Sequence, residues 1–465
     1  MSFHYLSLLD ISVRIRTGAL SPVAVTQALL QRIAALDGTL TSYTTVIADR
    51  ALAKAAKAEE EIAAGFWRGP LHGVPIAVKD LCDTTYAPTA AGMYIHKARI
   101  PPANATAVDR LEAAGAIMLG KLSMTEGAFG AHHPKMPKPK NPWNAAYWTG
   151  SSSSGSGTAT AAGLCYASLG SDTGGSIRLP TGACGLSGVK PTWGRVSRYG
   201  VCDLSESLDH LGPMTRTVAD CAAILAVIAG AGADANDPTA AAVPVPDYLA
   251  LISGPIRGLR IGVDEEWIYG AADPDVVAAL KAALEVFAAL GATIVPVKLP
   301  DMAEMTAAWT DICAVESTLA HDATYPSRKS DYGPEISGFL DRGLAIPAKA
   351  LGRAQIYRDV FKGELAAVFE PVDAIICPVI AAKVPTVPVW DDVAKGKGDF
   401  GDYLKYSAPF NFSGSPAAIF QAGFDGNGLP VGIQLVGKHF SEALLMRAAH
   451  AFQTVTDWHV KHPPL

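Results

Sequence analysis

Two runs of small residues decide how this chain is read: Thr149-Gly-Ser-Ser-Ser-Ser-Gly-Ser-Gly-Thr-Ala-Thr-Ala-Ala-Gly163 and Leu169-Gly-Ser-Asp-Thr-Gly-Gly-Ser-Ile-Arg-Leu-Pro180. A Ser/Gly tract is ordinarily a flexible linker. This one is short and leads straight into alanines, which predicts a small-residue helix over 159–167 packed closely on a neighbour. In the second run, Asp172-Thr-Gly-Gly-Ser176 sets a pair of glycines before a serine, with Arg178 just beyond. Successive backbone N–H groups in such a turn converge on one point, making an oxyanion site beside a hydroxyl nucleophile. An ordinary Gly-Gly turn has the same composition, so this run alone does not decide between catalysis and structure.

A serine nucleophile needs a base, and no histidine of the chain lies in a suggestive motif. Lysine serves where burial keeps it neutral, because desolvation disfavours the ammonium form. Lys79 ends an apolar run (Val74, Ile76, Val78), although a strand-end lysine is ordinarily exposed. Other chemistries fail on their own requirements. Gly115-Ala-Ile-Met-Leu-Gly-Lys121 approaches a phosphate loop, but Leu122 stands where a magnesium-binding hydroxyl is needed and the residues between the glycines read as a strand. Gly155-Ser-Gly-Thr-Ala-Thr160 opens like a dinucleotide fingerprint, yet Thr160 fills the third small position and no ordinary strand precedes it. H-E-x-x-H, G-x-S-x-G and three-ligand histidine spacings are all missing, so no metal or cofactor is expected.

The whole chain has 465 residues, 49% hydrophobic and 18% charged, enough for a large buried core. Its 38 basic and 44 acidic side chains leave a net charge of −6, which argues against a nucleic-acid partner held by bulk electrostatics. The most apolar candidate for a membrane span, 218–233, carries Asp220, and the N-terminus lacks the basic flank and apolar run of a secretory signal. Seven scattered cysteines without a C-x-x-C pair suggest neither a disulfide framework nor zinc. A cytoplasmic protein without membrane partner, monomeric or homodimeric, is expected. Helices are predicted from a Ser21-Pro22 cap and at 51–64, 106–114, 218–231, 275–290 and 442–453, and strands at 73–80, 115–119, 259–263, 292–297, 374–378 and 432–436. Residues 134–150 read as a long ordered loop. This alternation predicts an α/β fold, a large mixed β-sheet core flanked by helices. With no repeat or linker, one domain over 1–465 is expected: a helical region (1–65), the region of the unusual runs (66–230), and the remaining core with pocket helices (231–465).

Taken together, these residues resemble the amidase signature family, whose hallmark is a Ser–cis-Ser–Lys triad. The resemblance lies in Gly73-Val-Pro-Ile-Ala-Val-Lys79-Asp80, Gly120-Lys-Leu-Ser-Met-Thr-Glu126, Gly150-Ser-Ser-Ser and Gly170-Ser-Asp-Thr-Gly-Gly-Ser-Ile-Arg178. It continues through Gly188-Val-Lys-Pro-Thr192, Gly194-Arg-Val-Ser-Arg198, Ser207-Leu-Asp-His-Leu-Gly-Pro213 and Gly428-Leu-Pro-Val-Gly-Ile-Gln434, in family order. It implies Lys79 as base, Ser176 as nucleophile, and Ser152, preceded by a cis peptide, as the bridging serine. It further implies an oxyanion hole from the backbone N–H groups of Thr173, Gly174, Gly175 and Ser176, with Ser153, Asp172 and Arg178 supporting the site. Gly127, Ala128 and Gly150 fall where the family's backbone lies along substrate. The family tract usually reads Gly-Gly-Ser-Ser-Gly-Gly-Ser; here two extra serines place further hydroxyls beside the triad positions.

The activity so implied is hydrolysis of the C–N bond of a small or aryl carboxamide, an anilide or a carbamate (urethane) through a Ser176 acyl-enzyme. The alternative within the family is the glutaminase A-type subunit of a tRNA-dependent amidotransferase. Those subunits carry an acid for the glutamine amino group where Leu404 aligns, with Asp402 nearby but out of register. A binding protein without activity is disfavoured, since all three triad positions are filled. Trp143, Tyr147, Trp148, Trp193 and Trp309, with Met302 and Met305, are candidates for an apolar substrate pocket, or simply for the core.

Overall fold

The computed structural model describes residues 3–229 and 234–465. Its centre is an eleven-stranded sheet. The strands are β1 (Tyr43–Val46), β2 (Pro75–Lys79), β3 (Ile117–Leu122), β4 (Ala167–Asp172), β5 (Ser187–Lys190), β6 (His210–Thr215), β7 (Arg260–Val263), β8 (Thr293–Pro296), β9 (Ala374–Pro378), β10 (Ala417–Phe424) and β11 (Pro430–Gly437). They lie in the order β1-β3-β2-β4-β6-β5-β10-β11-β9-β7-β8. The pairs β2/β3, β2/β4, β7/β8 and β7/β9 are parallel and the others antiparallel, so the sheet is mixed. The β5/β10 pair joins strands from the middle and the C-terminal part of the chain into one sheet. The central strands β2 to β6 are buried along their whole length, including the polar residues Lys79, Lys121, Asp172, Lys190 and His210 that they carry.

Helix Pro22–Leu40 begins where Ser21 accepts the backbone N–H of Ala24, with proline in its first turn, as the sequence suggests. The helix expected over 159–167 instead spans Ser154–Ala161, and β4 already begins at Ala167. The physical reason is that its hydroxyls find backbone acceptors: Ser156 Oγ donates to the Leu169 carbonyl at 2.9 Å and Thr158 Oγ1 to that of Lys140 at 3.0 Å. A Ser/Gly tract so satisfied is free to be a buried helix. Its closeness to the sheet requires small residues, since a Cβ on Gly155 would lie 2.5 Å from the carbonyls of Ser42 and Ser123.

The helix expected over 218–231 spans Val218–Ile228, and its anticipated end lies outside the described residues, as does the expected boundary at 230/231. Among the described residues no helix is long and apolar enough to cross a membrane, and the seven cysteines are free thiols. Three long helices are absent from the sequence reading: Met305–Ala320, which reaches the turn after β4 through Trp309, and Pro334–Ala345 and Ala348–Val368, which pack against it.

Candidate active site

Strands β2 and β4 run parallel as neighbours, so their C-terminal ends emerge side by side. Open α/β sheets gather functional groups at this edge. Lys79 closes β2, Asp172 closes β4, and the Thr173–Ser176 turn follows directly. Lys79 is fully buried, and its Nζ donates to Ser152 Oγ at 2.7 Å and to Ser171 Oγ at 2.9 Å. Burial lowers its pKa to about 7, outweighing the opposing pull of more distant acidic groups. Two hydroxyls can accept from the ammonium but do not supply the negative charge that would hold it protonated.

Of the four consecutive serines, Ser152 is the one that Lys79 reaches, and the Ser151–Ser152 peptide bond is cis. Ser153 Oγ donates to the Ser171 carbonyl at 3.3 Å, and Ser154 Oγ meets His132 Nε2 at 2.9 Å. Ser154, one of the two serines that the family tract lacks, is thereby engaged elsewhere. Between Trp148 and Thr192 every residue is buried except Ser176. Among the described residues, Ser176 Oγ makes no hydrogen bond to the protein, and the N–H groups of Gly174, Gly175 and Ser176 donate to no protein acceptor. A partly exposed hydroxyl beside three uncommitted N–H groups is what attack on a carbonyl, and stabilisation of its oxyanion, require.

Asp172 and Arg178 form a buried two-point ion pair, Nε to Oδ2 at 3.0 Å and Nη2 to Oδ1 at 2.8 Å. Burial alone would raise the Asp172 carboxyl, but the guanidinium beside it holds it well below the usual carboxylate range. Asp172 Oδ2 also accepts the N–H groups of Ile177 and Arg178, tying the end of β4 to the residues just past Ser176. Gly127 and Ala128 have left-handed φ angles of 55° and 61°, and the preceding Thr125 N–H donates to the Ser152 carbonyl at 3.2 Å, which sets this turn beside Ser152. Gly150 has φ 79°, and a Cβ there would lie 2.3 Å from Pro180 Cα, so only glycine fits.

The aromatic candidates do not share one pocket. Met302 and Met305 line a cavity of about 640 Å³ with Trp267, Asp402 and Lys405. Tyr147 and Trp148 line another of about 280 Å³. Trp193 lies under the Arg198 guanidinium, and Trp143 Nε1 donates to the Cys184 carbonyl. Trp309 packs on the Thr173–Ser176 turn, where Nε1 donates to the Thr173 carbonyl at 2.9 Å. Leu404 is buried, and Asp402 faces the larger cavity. Lys138 in the 134–150 loop pairs with Asp391 at the surface. Sequence reasoning missed Ser171, although it sits inside the quoted Gly170-Ser-Asp run. It also missed Ser407 and Asn411, which reach this site from more than 200 residues away with no local signal.

A model of the Amidase family matches residues 24–446. A Mycobacterium tuberculosis protein named for an inferred amidase activity, AmiD, is 46% identical over 99% of this chain and 96% of its own length. A glutamyl-tRNA(Gln) amidotransferase subunit from Chloroflexus aggregans is 38% identical over 99% of each chain. The solved structure of the native peptide amidase from Stenotrophomonas maltophilia is 30% identical, covering 100% of this chain and 99% of that one, with a TM-score of 0.85. The chain belongs to the amidase signature family and is an amide-hydrolysing enzyme.

Proposed function

We propose that the enzyme hydrolyses carboxamides, with aryl amides, anilides and aryl carbamates as favoured substrates, through a Ser176 acyl-enzyme served by Ser152 and Lys79. The observation that carries the mechanism is the hydrogen bond from a fully buried Lys79, with its pKa lowered to about 7, to Ser152 Oγ. Neutral Lys79 accepts the Ser152 proton as Ser152 accepts that of Ser176, and Ser176 Oγ adds to the substrate carbonyl. The N–H groups of the Thr173–Ser176 turn stabilise the oxyanion, each such donor being worth on the order of 10²–10³ in turnover. Ser152 returns a proton to the departing nitrogen as the C–N bond breaks, and water releases the acyl group by the reverse relay.

The substrate preference is supported by an aromatic chain beside the two turns, 127–128 and 149–150, that the sequence reading sets along substrate through Gly127, Ala128 and Gly150. Phe129, which follows Ala128, stacks on Phe339 at 3.9 Å, and Trp148, which precedes Thr149 and Gly150, stacks on Trp390 at 3.9 Å. Phe400 bridges the two pairs, touching Phe129 and Trp390, and Tyr403 packs edge-on against the Trp148–Trp390 pair. Burying a ring against such a wall contributes about 1.5–3 kcal/mol. The relatives named as amidotransferase subunits support a second reading, a glutaminase subunit. Leu404, buried where the family's glutamine-recognising acid would align, weighs against it.

The test is hydrolysis of L-glutamine, an aliphatic amide, a nitroanilide and an aryl carbamate by wild type and by Ser176→Ala. Turnover of the anilide or carbamate that disappears in Ser176→Ala, with glutamine inert, supports the hydrolase. Glutamine turnover alone supports the amidotransferase reading. Activity surviving at wild-type level in Ser176→Ala would contradict both.

A further inference from the structure

A trans peptide is planar, with its C=O and the next N–H pointing in opposite directions. Whatever holds the carbonyls of residues 172–175 therefore aims the N–H groups of residues 173–176. All four carbonyls are held. Asn411 Nδ2 donates to the Asp172 carbonyl at 2.8 Å, Trp309 Nε1 to that of Thr173 at 2.9 Å, and Ser407 Oγ to that of Gly174 at 2.5 Å. The Leu179 N–H donates to the Gly175 carbonyl at 2.7 Å. Only the last donor is local; the other three come from helix Met305–Ala320 and from helix Ala408–Phe412 with its preceding residue. Ser407 and Asn411 are four residues apart and so share one helix face. Arg178 completes the clamp, donating from Nη1 to the Ser407 carbonyl at 2.7 Å and from Nη2 to Asn411 Oδ1.

Contact is as close as the hydrogen bonding. A Cβ on Gly174 would lie 2.5 Å from Trp309 Cζ2, and one on Gly175, where φ is 142°, would lie 2.7 Å from Ser407 Oγ. Trp309 is 3% exposed and Ser407 fully buried, so neither side chain has water as an alternative partner.

We infer that Trp309 and Ser407 are positioning residues for the oxyanion hole, holding the Thr173–Gly174 and Gly174–Gly175 peptides so that their N–H groups face the carbonyl attacked by Ser176. This inference rests on the Ser176 acyl-enzyme reading above. Both residues act through the turn and need not touch substrate. Preorganised donors stabilise charge as it develops, so their misalignment penalises the tetrahedral state more than the bound amide.

The experiment compares wild type, Trp309→Phe and Ser407→Ala on one hydrolysed amide, with Ser176→Ala as control. Trp309→Phe keeps an aromatic side chain but removes the N–H donor together with the outer indole ring that lies against Gly174, whereas Ser407→Ala removes a hydroxyl alone. Readouts are kcat, KM, melting temperature and the inhibition constant of phenylboronic acid, whose adduct with a serine oxygen is tetrahedral and anionic. Each variant is expected to lose kcat by roughly 10–100-fold, less than outright deletion of a donor, with KM changed by less than about threefold. Boronate affinity should fall in parallel with kcat. Unchanged kcat and boronate affinity in both variants would overturn the inference while Ser176→Ala stays inactive. So would a loss of kcat with boronate affinity intact, the pattern of a merely structural role. Activity in Ser176→Ala would instead bring down the underlying reading, and the inference with it.

Discussion

Lys79 carries its amine on two serine hydroxyls, whereas Lys121, on the neighbouring strand, faces the Asp80 carboxylate at 3.3 Å. A buried lysine without an adjacent anion is easier to deprotonate, and burial lowers Lys79 to about 7. The rate should therefore rise with pH as Lys79 loses its proton, giving a limb of the kcat/KM profile with an apparent pKa near 7. A flat profile from pH ~5 to ~9 would exclude Lys79 as the base. The same shift bears on stability. In the unfolded chain the lysine holds its proton up to 10.5, in the folded chain only to about 7, so folding below 10.5 is penalised and the penalty is full below about 7. Lys79→Met should abolish activity yet raise the melting temperature at neutral pH, the gain shrinking as pH approaches 10.5. Thermal scans of both proteins at several pH values check this. The apolar run that Lys79 ends suggested an inward position against the ordinary exposure of a strand-end lysine, and the family resemblance named Ser152 beside it; Ser171 as its second partner was not legible. Those contacts depend on where β4 and the Ser-rich tract pack.

At the scale of elements, helix Ser154–Ala161 and the turn after β4 are held by tight packing and by one buried ion pair. Gly155→Ala would force a methyl toward two backbone carbonyls 2.5 Å away, and should lower stability by about 1–3 kcal/mol or prevent folding. Denaturant unfolding measures it; a neutral effect would mean that this helix sits further from the sheet. Arg178→Met leaves the Asp172 carboxylate buried without its partner and should cost about 3–5 kcal/mol. Elements with clear periodicity, such as Pro22–Leu40 and β9, could be read from sequence. Strand β6 could not, because Gly212 and Pro213 interrupt it and its pairing with β4 and β5 is non-local. Helix Ala348–Val368 buries only Ala354, Arg358, Phe361 and Leu365 of its 21 residues, too sparse a stripe to announce a helix.

For the molecule as a whole, the sheet brings two parallel strand ends together near residues 79 and 172, and segments from far along the chain close over them. Family motifs made the fold readable and named Lys79, Ser152 and Ser176 as the proposed triad, since they lie on strand ends and tight turns with strong local requirements. Pocket composition was not readable, because Met302, Tyr147 and Trp309 are assigned to different surroundings only by the packing of the long C-terminal helices. If Phe129, Trp148, Trp390 and Phe400 border the substrate, an anilide should exceed an aliphatic amide of equal reactivity by roughly 10-fold or more in kcat/KM. Trp390→Ala should reduce that ratio, and an unchanged ratio would place the aromatic chain outside the substrate's path.

The central claim is that Ser176 is the nucleophile, activated through Ser152 by neutral Lys79. Its most direct measurement is intact-mass analysis and peptide mapping after exposure to a fluorophosphonate, which phosphonylates an activated serine with loss of fluoride. The account predicts one adduct, on Ser176, formed more slowly as pH falls below about 7 and strongly suppressed in Lys79→Met. An adduct on another residue, or labelling of Ser176 at the same rate in Lys79→Met, would contradict it.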